Sequence, residues 1–225
     1  MPASLRILST LACLALLAGG ADAARIELPS RAQERPAIAP FGPGIKLPSI
    51  TGRSQTPAIT TLAPAPASSD TVETLRLVPR PTIALAGEGG WDDGPIILRN
   101  AFATLYEAAS TAGLAVTGRP FAVFRETDDR GYRFEAMLPV ERPVAAGDPR
   151  ITVSESPGGF ALRFVHEGSF DDIDLTYDII ASHLEAEGLE PQDLFIEEFV
   201  TGDFIGEAAG AIALEATIYI YVFPQ

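Results

Sequence analysis

The sequence predicts an α+β domain: a tandem β-α-β-β repeat forming a mainly antiparallel sheet, with two main helices on one face and a pseudo-twofold axis between the halves. Three observations carry this. Gly87-Glu88-Gly89-Gly90-Trp91-Asp92-Asp93 and His166-Glu167-Gly168-Ser169-Phe170-Asp171-Asp172 begin alike at an offset of 79 residues. Each follows an apolar run, Thr82 to Ala86 or Phe160 to Val165, and each precedes a helical pattern that stops at Gly-Leu. Each half closes on a similar strand, Phe134-Glu135-Ala136-Met137-Leu138 or Leu214-Glu215-Ala216-Thr217-Ile218.

In chain order, residues 1–23 are expected to be an export signal. Arg6 gives the basic start, Ile7 to Leu17 the apolar run, and Ala21-Asp22-Ala23 a cleavage site before Ala24. The run is short for a bilayer span. With no twin-arginine pair, the general secretory route to a bacterial periplasm is expected. Cys13 leaves with the signal, so the mature chain has no disulfide, thiol nucleophile or thiolate ligand. His166 and His183 are the two histidines, too few for a His-rich metal site, and no metal is expected.

Residues 24–70 hold eight prolines, one aromatic (Phe41) and a net charge of +2, with neither a strand nor a helix period. They read as an extended, disordered, proline-rich linker. A proline-rich docking site is the alternative.

Residues 71–225 are the expected folded domain, with repeats at about 72–142 and 150–224. This part carries ten Arg, no Lys and 26 acids, within a chain of net charge -14. That balance excludes a sequence-independent grip on nucleic acid. After signal cleavage no membrane span is expected. About 155 residues bury nearly 70% of the extended chain's surface, enough for one core.

In the first half, Ile97, Ala101, Leu105, Ala108 and Ala109 recur at helical spacing, and Gly113-Leu114 ends the helix. Strands follow over Phe121 to Glu126 and Tyr132 to Val140. In the second half, Ile173, Tyr177, Ile180, Ala181 and Leu184 form the stripe, and Gly188-Leu189 ends it. Strands follow over Leu194 to Val200 and Ala213 to Phe223. The first helix is expected to be four residues longer, about one turn.

Strand alternation sorts the side chains. Phe195, Glu197 and Phe199 share one face, and Ile196 and Glu198 the other. Ala216, Ile218, Ile220 and Val222 form an apolar face assigned to the helices. Tyr219 and Tyr221 then point away from the helices, with Glu135 matching them in the first half. Aromatics mixed with carboxylates are therefore expected on that far face. Such a mixture suits an amphipathic cation through ring area, cation–π attraction and a charge complement.

A strand ending His166-Glu167-Gly168-Ser169-Phe170, the Gly188-Leu189 helix end, Phe195-Ile196-Glu197-Glu198-Phe199 and the closing Glu215-Ala216-Thr217-Ile218-Tyr219-Ile220 strand resemble the GyrI-like small-molecule-binding family. That family includes the effector-binding domains of AraC-type and MerR-type regulators, in the SOUL/GyrI-like superfamily. The resemblance covers about residues 72–224. It implies a ligand-facing carboxylate at Glu197, with Phe199 where the family has Tyr. An export signal takes the N-terminus and no DNA-binding helix-turn-helix is legible, so a transcription regulator is not the expected role.

The expected function is an exported, periplasmic protein that binds a hydrophobic, preferably cationic small molecule. Glu197 is the expected charge partner; Trp91, Phe195, Phe199, Tyr219 and Glu135 line the cleft. A purely structural Glu197 would instead pair with Arg125 or Arg163. No cofactor and no catalytic residue are expected on this reading. One alternative is a hydrolase of electrophilic small molecules, with Glu197 activating water. Another is a haem-binding SOUL-like module using His166. The last is an envelope interaction protein without a pocket.

Overall fold

The computed structural model describes residues 59–90, 94–128, 131–142, 144–145, 147–201 and 216–225. The first half runs β1 (Glu73–Leu77), β2 (Pro81–Gly89), α1 (Gly94–Thr111), β3 (Phe121–Asp128) and β4 (Gly131–Pro139). The second runs β5 (Ile151–Glu155), β6 (Gly159–Gly168), a 3-10 turn at Phe170–Asp172, α2 (Ile173–Glu187), β7 (Pro191–Phe199) and β8 (Ala216–Pro224). The fold is α+β, with the β-α-β-β unit used twice. The helices have 18 and 15 residues.

β1 and β5 are additions to the expected unit. Each has five residues and lies beside prolines, Pro79 and Pro81 for one and Pro149 and Pro157 for the other. Proline cannot donate to a ladder, so such stretches read as loops.

The eight strands form one sheet in the order β1-β6-β8-β7-β3-β4-β2-β5, and every strand pair is antiparallel. In a flat sheet β1 and β2 would lie six strand spacings apart, about 29 Å. Residues 78–80 join them and reach no more than about 14 Å. The sheet must therefore curl back on itself. Its register confirms the closure. Leu77 faces Gly159, Pro81 faces Glu155, and between them the Ser156 N–H donates to the Arg80 carbonyl at 2.9 Å.

The curl produces two cores. The outer face packs under the helices: Leu98, Phe102 and Leu105 of α1 and Tyr177, Ile180 and Leu184 of α2 meet Phe124, Phe134, Phe195, Ile218 and Ile220. The inner face closes on itself with Phe121, Val123, Met137, Ile196, Tyr219, Tyr221 and Phe223. Leu62 and Ala63 are buried in this second core. The end of the linker expected over 24–70 thus differs from an extended tether at Leu62 and Ala63, which pack on the sheet. Residues 24–58 lie outside the described residues.

Both helices end in the same way. Gly113 (φ 63°) and Gly188 (φ 65°) take the left-handed conformation that a side chain disfavours. Leu114 N–H bonds the Ala109 carbonyl and Leu189 N–H the Leu184 carbonyl, both at 2.9 Å. These are the long bonds of a Schellman cap. The two glycines fix the equivalence of the halves at an interval of 75 residues. That interval carries Phe102 onto Tyr177, Ala122 onto Glu197 and Phe124 onto Phe199.

Candidate functional site

Partners directly opposite in an antiparallel pair share a face. Glu197 faces Ala122 on one side and Ile220 on the other. Ile220 lies under the helices, so Glu197 does too. Phe195 and Phe199 lie with it, as alternation requires. Tyr219 pairs with Glu198 and lies on the inner face. The expected cleft is therefore divided. Glu197, Phe195 and Phe199 are brought together beneath the helices, and Tyr219 stands on the opposite side of the sheet. The strand pairing decides this, and alternation within each strand alone leaves it open.

Glu197 is 3% exposed. The Tyr177 hydroxyl donates to its Oε1 at 2.5 Å. Tyr177 comes from the buried stripe Ile173, Tyr177, Ile180, Leu184 of α2, so helical spacing aims the phenol at the sheet. Aromatic rings surround this pair. Phe195 stacks on Phe124 with centroids 4.7 Å apart and meets Tyr177 edge-on at 5.6 Å. Phe199 meets Phe102 edge-on at 5.2 Å.

No cationic side chain among the described residues pairs with Glu197. Arg125 lies 3.6 Å from Glu135, and Arg163 pairs with Glu73 and covers the Tyr219 ring at 5.1 Å. Both candidate arginines are thus engaged elsewhere. Burial pushes the Glu197 carboxyl up to about 7, partly opposed by the Tyr177 hydrogen bond. Burial, then the neighbouring carboxylate, holds the Tyr177 phenol well above its usual range. The phenol is the donor and the carboxyl the acceptor.

The equivalent positions in the first half are Phe102 and Ala122, with neither hydroxyl nor carboxylate. The polar pair therefore exists on one side of the pseudo-twofold axis.

The pairing of β3 with β7 stops at Phe124 and Phe195. Beyond it lies a cavity of about 170 Å³ lined by Phe124, Arg125, Thr127, Gln192, Asp193, Leu194 and Phe195. Phe124 and Phe195, which stack on each other, line it, and Phe195 also meets the Tyr177 ring.

Of the other expected residues, Glu135 sits half-exposed on β4 beside Arg125 of β3, and pairs across the sheet with Val123 of the inner face, not with Glu197. Trp91 lies outside the described residues. His166 is 4% exposed and fully used: Nδ1 lies 2.8 Å from Thr176 Oγ1 and Nε2 2.9 Å from the Ser169 carbonyl. It ties β6 to the start of α2. His183 is half-buried against the Phe164 edge at 5.5 Å. Among the described residues no group of three or more His, Cys, Asp or Glu is placed to hold a metal ion. No described helix is long and apolar enough to cross a membrane.

Two residues escaped the sequence reading. Tyr177 looked like plain helix core, yet a buried tyrosine needs a partner for its hydroxyl. Alternation places Glu198 with Ile196 on the face opposite Glu197, with no role assigned. It is 0% exposed, accepts the Tyr221 hydroxyl at 2.7 Å on Oε2 and the Leu62 N–H at 2.7 Å on Oε1. Burial raises its carboxyl to about 7 as well.

The GyrI-like small molecule binding domain matches residues 71–205. Among solved structures, the C-terminal domain of EcmrR is similar at 14% identity and a TM-score of 0.57, over 69% of this chain and 97% of that one. The same score is reached with EcmrR in a DNA complex, over 69% of this chain and 57% of that longer one. An uncharacterized conserved protein from Listeria innocua is similar at 14% identity and a TM-score of 0.53, over 71% of this chain and 94% of that one. At these identities the likeness is one of fold. No curated protein matches the chain.

Proposed function

Because this chain belongs to the family of GyrI-like small-molecule-binding domains, we propose that it is an exported, periplasmic binding protein for a hydrophobic, preferably cationic ligand, with Glu197 as the charge partner. The observation that carries this is the state of Glu197. It is buried among Phe195, Phe199 and Tyr177, with a phenol as its partner and no counter-charge among the described residues. A buried carboxyl of this kind holds its proton up to about pH 7 because burial disfavours its anion. A lipophilic cation beside it would supply the missing charge, ionise the carboxyl and release a proton.

The cavity beside Phe124 and Phe195 holds about 170 Å³, below the roughly 300–1,000 Å³ of drug-sized sites. Binding therefore requires the Phe195 ring to swing aside, joining the cavity to the space beside Tyr177. Arg125 and Asp193 would stand at the rim. The haem reading draws no support from His166, whose two ring nitrogens are already occupied.

A thermal-shift series on the mature chain tests the ligand class, using a lipophilic phosphonium, its neutral isostere and haem. A ligand at about 100 times its dissociation constant adds roughly 2.7 kcal/mol, a shift on the order of 5–10 °C for a domain of this size. A shift for the cation alone, lost in Glu197→Gln, is the expected result. A folded protein indifferent to every cation would overturn the reading. Export is tested separately by fractionation and N-terminal sequencing, with a periplasmic chain beginning at Ala24 as the expected product.

A further inference from the structure

We propose that the inner face of the curled sheet is a peptide-binding groove for an extended, apolar, proline-bearing segment, and that residues 60–64 of this chain are its tethered occupant. The grip on these residues is mainly a grip on backbone. Thr60 N–H bonds the Thr117 carbonyl at 3.1 Å, and Arg119 N–H bonds the Thr60 carbonyl at 2.9 Å, as a short parallel strand pair would. Glu198 takes the Leu62 N–H at 2.7 Å. Arg80 donates to the Leu62 carbonyl at 3.3 Å and to Thr60 Oγ1 at 2.8 Å. Arg163 donates to the Pro64 carbonyl at 2.5 Å.

The receiving groups are built for an occupant. Glu198 is 0% and Arg163 2% exposed, and charged groups so deeply placed need partners on every side they offer. Tyr221 meets one oxygen of Glu198, and Glu73 meets one end of Arg163. Residues 60–64, the strap, supply further partners to both, while Arg163 Nε has no hydrogen-bond partner among the described residues. One acceptor and two cationic donors therefore read one amide N–H and two carbonyls of an extended chain. Recognition through main-chain groups tolerates sequence, with pockets for a few side chains adding selectivity. Here Leu62 and Ala63 fill that role, both buried in the inner core. The proline falls where no N–H is required.

Two further facts separate occupant from receptor. The family match begins at residue 71, after the strap. The groove also lies across the sheet from Glu197, so it does not depend on the ligand reading above.

The test uses the full-length chain with a protease site placed at the exposed Ser68. After folding, the chain is cut there, so that no covalent bond joins residues 60–64 to the domain. The expected result is that the cut fragment co-elutes with the domain. Excess synthetic peptide spanning residues 59–67 should then displace it, saturably and with the domain still folded by circular dichroism. The same peptide N-methylated at Leu62 cannot donate to Glu198 and should bind at least tenfold more weakly. A Glu197→Gln chain should hold the peptide unchanged. If the fragment can leave only when the domain unfolds, the strap is core and the groove is refuted. Spontaneous loss of the fragment, with no uptake of labelled peptide, refutes it equally. So does indifference to the N-methyl group.

Discussion

Glu197 and Glu198 are consecutive in β7, buried on opposite faces of one sheet, and each accepts a tyrosine hydroxyl, Tyr177 at 2.5 Å and Tyr221 at 2.7 Å. Their surroundings then diverge. Glu198 also holds a backbone amide and has Arg80 and Arg163 nearby. Glu197 has the phenol and aromatic walls. The first is committed to holding chain, whereas the second has capacity to spare.

Tyr177→Phe removes the hydroxyl that Glu197 accepts. A buried acceptor left without its donor costs about 1–3 kcal/mol. Urea unfolding should fall by that much, and a carboxyl titration followed by NMR should place Glu197 higher still. An unchanged titration would show that the phenol does not hold this carboxyl.

Stability should decline as pH rises from acid to alkaline. Glu197 and Glu198 titrate near 4.5 when unfolded and about 7 when folded. Between those values the folded chain keeps protons that the unfolded chain releases. The benefit is complete below about pH 4.5 and is lost as pH climbs through 7. Each carboxyl contributes on the order of 3 kcal/mol to the change. Unfolding at pH 5 and pH 8 should differ accordingly, and Glu197→Gln should flatten part of the slope. An equal stability at both pH values would contradict the burial argument.

Cation affinity should move the other way. Below about pH 7 a bound cation must first displace the Glu197 proton. The dissociation constant should therefore rise close to tenfold for each pH step of one below 7, levelling above it. Calorimetry in two buffers of different ionisation enthalpy should report about one proton released. A pH-independent constant would place the charge partner elsewhere.

Gly188→Ala asks an L side chain to adopt φ 65° at the end of α2. Nothing lies within 4 Å of the added methyl, so the cost is conformational, about 1 kcal/mol. Gly113→Ala, with φ 63° and equally open space, should cost the same. A large difference between the two would mean the caps are not equivalent.

Much of this architecture is legible in the sequence, for local reasons. The Glu-Gly turns, the helical stripes and the Gly-Leu ends are short-range signals, and they give the repeat, six of the strands and both helices. Which face Glu197 takes is a long-range matter. It depends on Glu197 meeting Ile220 across β8, and nothing within either strand states that register. The role of Leu62 is harder still, since its partner Glu198 lies 136 residues away. The five-residue strands β1 and β5 escaped notice because each is bounded by prolines.

A domain made of two like halves would ordinarily offer any molecule on its axis two equivalent poses. Phe102 and Ala122, set against Tyr177 and Glu197, abolish that equivalence. Under the proposed function, a guest with its charge at one end would have a single way to lie, head toward α2 and tail toward α1. On that reading the duplicated scaffold would be a vectorial receptor, able to tell the two ends of an elongated molecule apart.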